Sequence, residues 1–414
     1  MTALKTTITA ILAKMPEVKK PQRDFLTHTL ILFLSIRSRI NFLQLERHSE
    51  GAYRESTYRS HFEEFFDFAQ FNTHLTKTYG SGHFIIGFDP SYIRKSGKHT
   101  DQVGKYWSGC TSRREWGLEA GVFSAIDIDN HTAFHLDAII SPNQKECQER
   151  DISLMEHYVN TVFWSAEYLE QLSRYLVVDA FFTKKDFILP IIERTNLHII
   201  GRWRDDPDFM YLYNGPKKGG RGAPTKYDGK FNMSEPDFSK MTLSYEDKQV
   251  RIYDCIVYSK ALKRKIRIAY TIWLYEKGKE RIKIYYSTDL DLPAWVIVEY
   301  YTARFQEEFL FRDGKQFTGL NHCQARSANK LEYHWNCSLT AINIAKVHFL
   351  LSVPKEQRKA FSMADVKTQC YNQLLLNRLF RIFENDTELQ INNPDFSIYN
   401  DKVKELFTFG CIAA

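Results

Sequence analysis

The sequence predicts an α/β protein: a mixed sheet with flanking helices, preceded by a helical segment and interrupted by a β-rich insertion. Three observations predict it. Two short apolar runs, His83 to Phe88 and Tyr175 to Val178, each end in an aspartate, Asp89 and Asp179. Between them, "WGLEAGVFSAIDID" and "HTAFHLDAIIS" read as strands joined at a plausible hairpin, Asp129-Asn130. Helical stretches at about 151–173 and in "KKDFILPIIERT" separate the later strands, the last being "LHIIGRWR". The order strand, strand, strand, helix, strand, helix, strand fits an antiparallel meander with two further strands beside the first, in parallel. Both aspartates then sit at strand ends, where open α/β sheets place their chemistry.

The segment 1–80 reads as helices, with apolar residues at helical spacing through "RDFLTHTLILFLSIRSRINFLQLERHS". A second run, "STYRSHFEEFFDFAQFN", starts at Ser56, a good N-cap residue. Arg54 and Arg59 near its start are compatible with major-groove DNA binding, and equally with an ordinary helical bundle. The domain division expected is 1–80 helical and DNA-binding, 81–204 the first part of the catalytic sheet, and 205–291 the insertion. Segment 292–353 supplies the final helices of the sheet domain, and 354–414 is a helical C-terminal region. The insertion opens with the basic loop "NGPKKGGRGAPTKYDGK". Three alternating runs follow: "KQVRIYDCIVYS", "KRKIRIAYTIWLYE" and "ERIKIYYST".

After the insertion, Pro293 opens the helical run "LPAWVIVEYYTARFQEEFLFRDGK". On a wheel of about 100° per residue, Tyr301, Arg304, Glu308 and Lys315 fall within about 60° of one another. Glu307 points about 120° away from Tyr301 on the same wheel. A surface stripe of Arg–Glu pairs would look similar and contribute only a few tenths of a kcal/mol. Gly314 weakens the helix by about 1 kcal/mol and puts Lys315 near a frayed end.

Bulk properties bound the function classes. The 414-residue chain is long enough for two or three domains, and 43% hydrophobic residues exclude wholesale disorder. The seven cysteines, an odd number without CxxC, argue for reduced thiols and a cytoplasmic location. His322-Cys323 with His334 and Cys337 has the wrong spacing for a compact zinc finger. The apolar run Leu30 to Ile36 is too short to span a bilayer.

Asp89, Asp179 and Glu308 converging on one point would repel unless a divalent cation lay between them. Dense oxygen ligands suit Mg²⁺ or Mn²⁺. Two such ions can activate a water or sugar hydroxyl for in-line phosphoryl displacement. Each acid alone has an ordinary structural reading as a turn or cap residue; the combination carries the argument.

The segments "IIGFD", "YLVVDAFF" and "STDLDLPAWVIVEYYTARFQEEFLFRDGKQFTGLNHCQARS" resemble bacterial insertion-sequence DDE transposases. The nearest group carries a Tyr–Arg–Glu–Lys (YREK) signature: Tyr, two residues, Arg, three residues, Glu, six residues, Lys. Tyr301, Arg304, Glu308 and Lys315 have that spacing. The likeness covers roughly 83–330. It implies a ribonuclease H-like fold with a β insertion between the second Asp and the Glu. It also implies metal-dependent cleavage at transposon ends and strand transfer to target DNA, with two Mg²⁺ or Mn²⁺ ions on Asp89, Asp179 and Glu308. Tyr301, Arg304 and Lys315 would hold phosphates near the cut. The implied partners are terminal inverted repeats and target DNA, with a homodimer in the synaptic complex, nucleoid association and no membrane. A silent DNA-binding regulator and another ribonuclease H-like nuclease are the alternatives.

Relatives usually have Trp after the motif Arg and an apolar residue before the Glu; here those places hold Phe305 and Glu307. Basic residues supply expected DNA contacts: Arg94, Lys95, Lys98, Lys105, Arg113 and Arg114 after the first Asp, and Lys217, Lys218 and Arg221 in the insertion loop. An insertion aromatic can stack on a flipped base in the family, and Trp273 is the candidate.

Overall fold

The computed structural model describes residues 2–216, 225–275 and 279–385. Five helices come first: α1 (Thr2–Leu12), α2 (Lys20–Ser35), α3 (Phe42–His48), α4 (Glu55–His61) and α5 (Phe68–Tyr79). The run expected to start at Ser56 is two helices. The first begins at Glu55, after Arg54, so Ser56 lies inside it and caps nothing. The second has its own N-cap, Asp67, whose carboxylate accepts from Gln70 N at 2.8 Å. Phe62 and Phe66, in the break between them, are buried.

The sheet begins with β1 (Phe84–Arg94), β2 (Gly104–Ser108), β3 (Arg113–Asp127) and β4 (Thr132–Ile140). Helices α6 (Gln144–Glu149) and α7 (Leu154–Glu170) precede β5 (Tyr175–Val178), and α8 (Lys185–Arg194) precedes β6 (His198–Arg202). β1 pairs antiparallel with β3 and parallel with β5, and β5 pairs parallel with β6. Then come β7 (Phe209–Leu212), β8 (Tyr227–Lys230), β9 (Thr242–Glu246), β10 (Val250–Ser259), β11 (Arg264–Tyr275) and β12 (Lys279–Ser287). These strands are continuous with the first set, because β12 pairs antiparallel with β6. Among the described residues one twelve-stranded mixed sheet results, in the order β2-β3-β1-β5-β6-β12-β11-β10-β7-β8, with β4 on β3 and β9 on β10.

The chain closes with α9 (Ala294–Ala303), α10 (Gln306–Gln316), α11 (Ala328–Ser352) and α12 (Met363–Asn385). Residues of β1 alternate between faces. Phe84, Ile86 and Phe88 enter a core with α7 and α8, whereas Ile85 enters one with α9. Gly87 and Asp89 therefore face the α9 side. The five N-terminal helices share a buried core with α10, α11, α12 and parts of β1, β3 and β4.

An edge strand normally exposes a row of unpaired backbone groups. β4 has its free edge closed by side chains of α11. Asn343 accepts from His135 N at 2.8 Å and donates to His135 O at 2.7 Å. Asn336 accepts from Ala138 N at 3.0 Å and donates to Ala138 O at 3.0 Å. Glu332 accepts from Ile140 N at 2.8 Å, and Lys346 donates to Ala133 O at 2.5 Å. These four residues lie three, four and seven apart, so one helical face meets the strand. The cost is burial of ionisable groups. Burial pushes the Glu332 carboxyl up to about 7 and the Lys346 ammonium down to about 8.

Candidate active site

Asp89 and Asp179 sit beside one another because β1 and β5 are parallel neighbours whose pairing ends at Phe88 and Val178. Each aspartate is the next residue in its chain. β1 does not end there, contrary to the sequence reading; it continues through Pro90 to Arg94, paired with β3 alone. Proline has no N–H to give, and a stretch with one free edge accommodates it. Asp179 turns its chain out of the sheet by accepting a hydrogen bond from Phe181 N.

The helix expected across 294–315 is broken. α9 stops at Ala303 and α10 starts at Gln306. At the break the backbone bonds span three residues: Phe305 N to Thr302 O, Glu307 N to Arg304 O at 3.0 Å, and Glu308 N to Phe305 O at 3.1 Å. Such turns advance about 120° per residue instead of about 100°. Three such steps rotate everything downstream by about 60° relative to a regular helix. Glu307, expected about 120° from Tyr301, is thereby brought closer to that stripe, and it is 1% exposed, at a position where an apolar, buried residue was expected. Its Oε1 accepts from the Ser124 hydroxyl at 2.7 Å. Gly87 and Ser124 are direct cross-strand partners. A Cβ on Gly87 would lie 2.2 Å from Glu307 Oε1, so only glycine leaves room for this carboxylate.

Arg304 lies against these acids. Its Nη1 is 3.7 Å from Glu307 Oε2, and its guanidinium carbon is 5.7 Å from the Tyr301 ring centroid. Burial opposes the Arg304 charge, but Glu307, Asp89, Tyr301 and Asp179 together hold its pKa above the usual value. Burial holds the Asp89 carboxyl above the usual range; Arg304 opposes this, and Asp179, Glu119 and Glu308 add to it. Glu307 is raised for the same first reason, with Arg304 and the Ser124 hydrogen bond opposing. Asp89, Asp179, Glu307 and Glu308 are thus joined by one electrostatic field, with Glu308 itself solvent-exposed. Glu119, buried and accepting from the Tyr158 hydroxyl at 2.6 Å, borders the same acids.

α10 runs on through Gln316, past the fraying point that Gly314 suggested. Gly314 is buried, and a Cβ there would lie 3.0 Å from Leu339 of α11, so the glycine permits close helix packing. Lys315 donates to the Ser91 hydroxyl at 3.0 Å, and burial lowers its pKa. The Tyr301 ring packs at a tilt of 46° against Tyr285 of β12, with centroids 4.8 Å apart.

The basic candidates divide. Lys95 is taken up by structure, donating to Cys323 O and Ala325 O at 2.8 Å each. Arg113 pairs with Glu115 at 3.0 Å. Arg94 is exposed at the end of β1. Lys98, Lys105 and Arg114 line a cavity of about 1310 Å³ that also reaches Asp89 and Asp179. Lys217, Lys218 and Arg221 lie outside the described residues. Trp273 is half-buried against the core beneath α9. The four residues weighed as a zinc site are not gathered. His322 Nδ1 accepts from Ile40 N at 3.1 Å, and His334 Nε2 lies 2.8 Å from Gly319 O.

Among the described residues, no three His, Cys, Asp or Glu side chains form a ready-made metal cage. The donor set still suits a hard divalent cation. The Asp89 carboxylate accepts no hydrogen bond among the described residues, Glu307 Oε2 is buried without a hydrogen-bond partner, and Arg304 is set against three carboxylates, Glu307, Asp89 and Asp179. Sequence reasoning set Glu307 aside because a regular wheel turns it away from the Tyr301 stripe; the burial expected at its position holds, with a carboxylate there instead of an apolar side chain. Sequence reasoning missed Trp107 and Trp116, exposed in the same cavity. The alternation Lys105-x-Trp107 and Arg114-x-Trp116 was the available signal.

Residues 157–344 match the family model of the transposase DDE domain. The matched span contains Asp179, Arg304 and Glu308 and begins after Asp89. No curated protein matches the chain. The domain gives the chain a transposase function and an enzyme activity of the nuclease and transposase kind. Transposases of this family act on DNA and generally use divalent metal ions. Among the described residues, no helix is long and apolar enough to cross a membrane.

Proposed function

We propose that this chain, which carries a transposase DDE domain, is a cut-and-paste DNA transposase of the YREK group whose acids are Asp89, Asp179 and Glu308. The reading rests on one observation: Asp89 lies in the electrostatic field of both Asp179 and Glu308, while Arg304 interacts with both aspartates. The reaction class is phosphodiester hydrolysis at each transposon end, followed by attack of the freed 3′-hydroxyl on a target phosphodiester. In each step one P–O bond forms as another breaks. Bound Mg²⁺ or Mn²⁺ ions, two in this reading, would neutralise the acids and favour the attacking and leaving oxygens.

The chain's own residues bind and orient. Arg304, ion-paired with Glu307 at 3.7 Å, presents its N–H groups to a phosphate next to the cut. Tyr301 contributes its phenol, and Lys315 its ammonium when it leaves Ser91. Lys98, Lys105 and Arg114 track the backbone along the cavity. Terminal inverted repeats and target DNA are the substrates, brought together by two copies of the chain at the nucleoid.

The test is cleavage of linear DNA carrying the sequences that flank the gene. Mg²⁺-dependent double-strand cuts at inverted repeats, and products joined to target DNA, are expected. Binding to the ends without any cutting, even in Mn²⁺, would refute the enzyme and favour a regulator. Cutting governed by branch structure rather than end sequence would identify a junction nuclease instead.

A further inference from the structure

From sequence, β2 and the first residues of β3 were weighed only for their positive charges, and the proposed chemistry does not use the aromatic residues there. In the hairpin register Lys105 pairs with Trp116, and Trp107 with Arg114. Cross-strand partners share a face, so these four side chains form one surface with two indoles and two cations placed diagonally. Trp107 is 58% exposed and Trp116 45%. Neither ring contacts another aromatic ring, and neither Lys105 nor Arg114 has an ion-pair partner, among the described residues. Leaving two tryptophans in water forfeits a large burial gain for each.

The opposite face is fastened to the body of the protein. Tyr106 is buried, and its hydroxyl reaches Gln102 O at 2.8 Å and Ser141 O at 3.0 Å. The platform is therefore held in place from behind. It lines the same cavity as Asp89 and Asp179. Diagonal cross-strand neighbours stand about 7–8 Å apart, close to twice the roughly 3.4 Å rise of stacked bases along a strand. That spacing suits an unpaired base against the indoles, with phosphates on the adjacent cations. Paired bases inside a duplex already stack on each other and offer no free face.

We infer that the Lys105, Trp107, Arg114 and Trp116 face is a stacking platform for unpaired DNA bases next to the cut, leading the strand toward Asp89 and Asp179. This rests on the transposase reading for its substrate and adds a single-strand subsite to it. The same composition, aromatics interleaved with cations along a groove, binds single strands without sequence readout in other settings.

The test uses the full chain in EDTA, so that binding is read without cleavage. Two probes are compared: a blunt duplex, and the same duplex with a five-nucleotide single-stranded extension containing 2-aminopurine. The wild type is expected to prefer the extended probe and to alter 2-aminopurine fluorescence. Trp107→Leu and Trp116→Leu are expected to lose about 5- to 100-fold in affinity for the extended probe, with blunt-duplex affinity and melting temperature unchanged. Trp→Phe at either place should restore most of the loss. If both Leu variants keep the preference, or if they lose blunt-duplex binding equally, the platform is refuted. Wild-type binding to both probes with no preference also refutes it while leaving the transposase reading intact. Binding to neither probe overturns both readings.

Discussion

Alanine at Gly87 is the sharpest probe of how Glu307 is seated. The added Cβ would lie 2.2 Å from Glu307 Oε1, 2.3 Å from Cδ and 2.7 Å from Oε2. Ordinary carbon contacts lie near 3.5–4.0 Å, so the carboxylate has to move by more than about 1 Å. Glu307 is 1% exposed and hydrogen-bonded to Ser124 at 2.7 Å, which leaves it little space. Overpacking of this kind costs about 1–3 kcal/mol, and leaving the buried Ser124 hydroxyl and Glu307 carboxyl unpaired costs about 1–3 kcal/mol. Removing a glycine from a strand interior returns roughly 0.5–1 kcal/mol. Gly87→Ala is therefore expected to destabilise by about 2–4 kcal/mol. The assay is a double-mutant cycle with Glu307→Ala, read by denaturant midpoint. Glu307→Ala alone leaves a void and an unpaired Ser124 hydroxyl; the new methyl partly fills that void in the double variant. The double variant should be more stable than the sum of the two losses by about 2 kcal/mol. A neutral Gly87→Ala, or strict additivity, would refute the inward turn of Glu307.

Other outcomes follow from the same structure. Asn343→Leu strands His135 N and O and the Asn72 side chain, and should cost about 3–5 kcal/mol in a thermal or denaturant melt. Asp137 is pushed up to about 7, first by burial and then by Glu332. Its folded pKa exceeds its unfolded value of about 3.9, so its stabilising contribution is full below about 4 and is lost as pH rises through about 7. Asp137→Asn should match wild type at pH 4 and exceed it by about 1–3 kcal/mol at pH 8. Alanine at Lys98, Lys105 or Arg114 should each lower the slope of log affinity against log salt by about 1 on duplex DNA.

Much of the sheet was legible because its signals are local. Apolar runs ending in aspartate, a hairpin at Asp129-Asn130 and three alternating runs after the loop each reappear as strands. Their union into one sheet was not legible, because it depends on β12 pairing with β6 across a long sequence separation. The closure of β4 by α11 was hidden for a related reason. Asn336, Asn343 and Lys346 look like polar interruptions of an apolar helix until the strand edge is beside them. The spacing of Tyr301, Arg304, Glu308 and Lys315 could be read directly, whereas the fate of Glu307 could not. It depends on three tight backbone turns at Arg304 and Phe305 that no residue type there announces. Trp107 and Trp116 were passed over because the stretch after Asp89 was weighed only for its positive charges and Trp116 only as the start of a strand; the hairpin register is what puts both indoles on one face.

The central claim is that Asp89, Asp179 and Glu308, and not the neighbouring buried Glu307, carry the chemistry. The direct measurement is metal-dependent cleavage of end DNA by Asp89→Asn, Asp179→Asn, Glu308→Gln and Glu307→Gln, with melting temperatures measured alongside. The account predicts that the first three lose cleavage by at least about 10³-fold, of the order expected when a main charge-stabilising group is removed, while remaining folded and bound to DNA. Glu307→Gln, which keeps the acceptor for Ser124, should retain most activity. Full cleavage by Glu308→Gln, or its loss only in Glu307→Gln, would contradict the account.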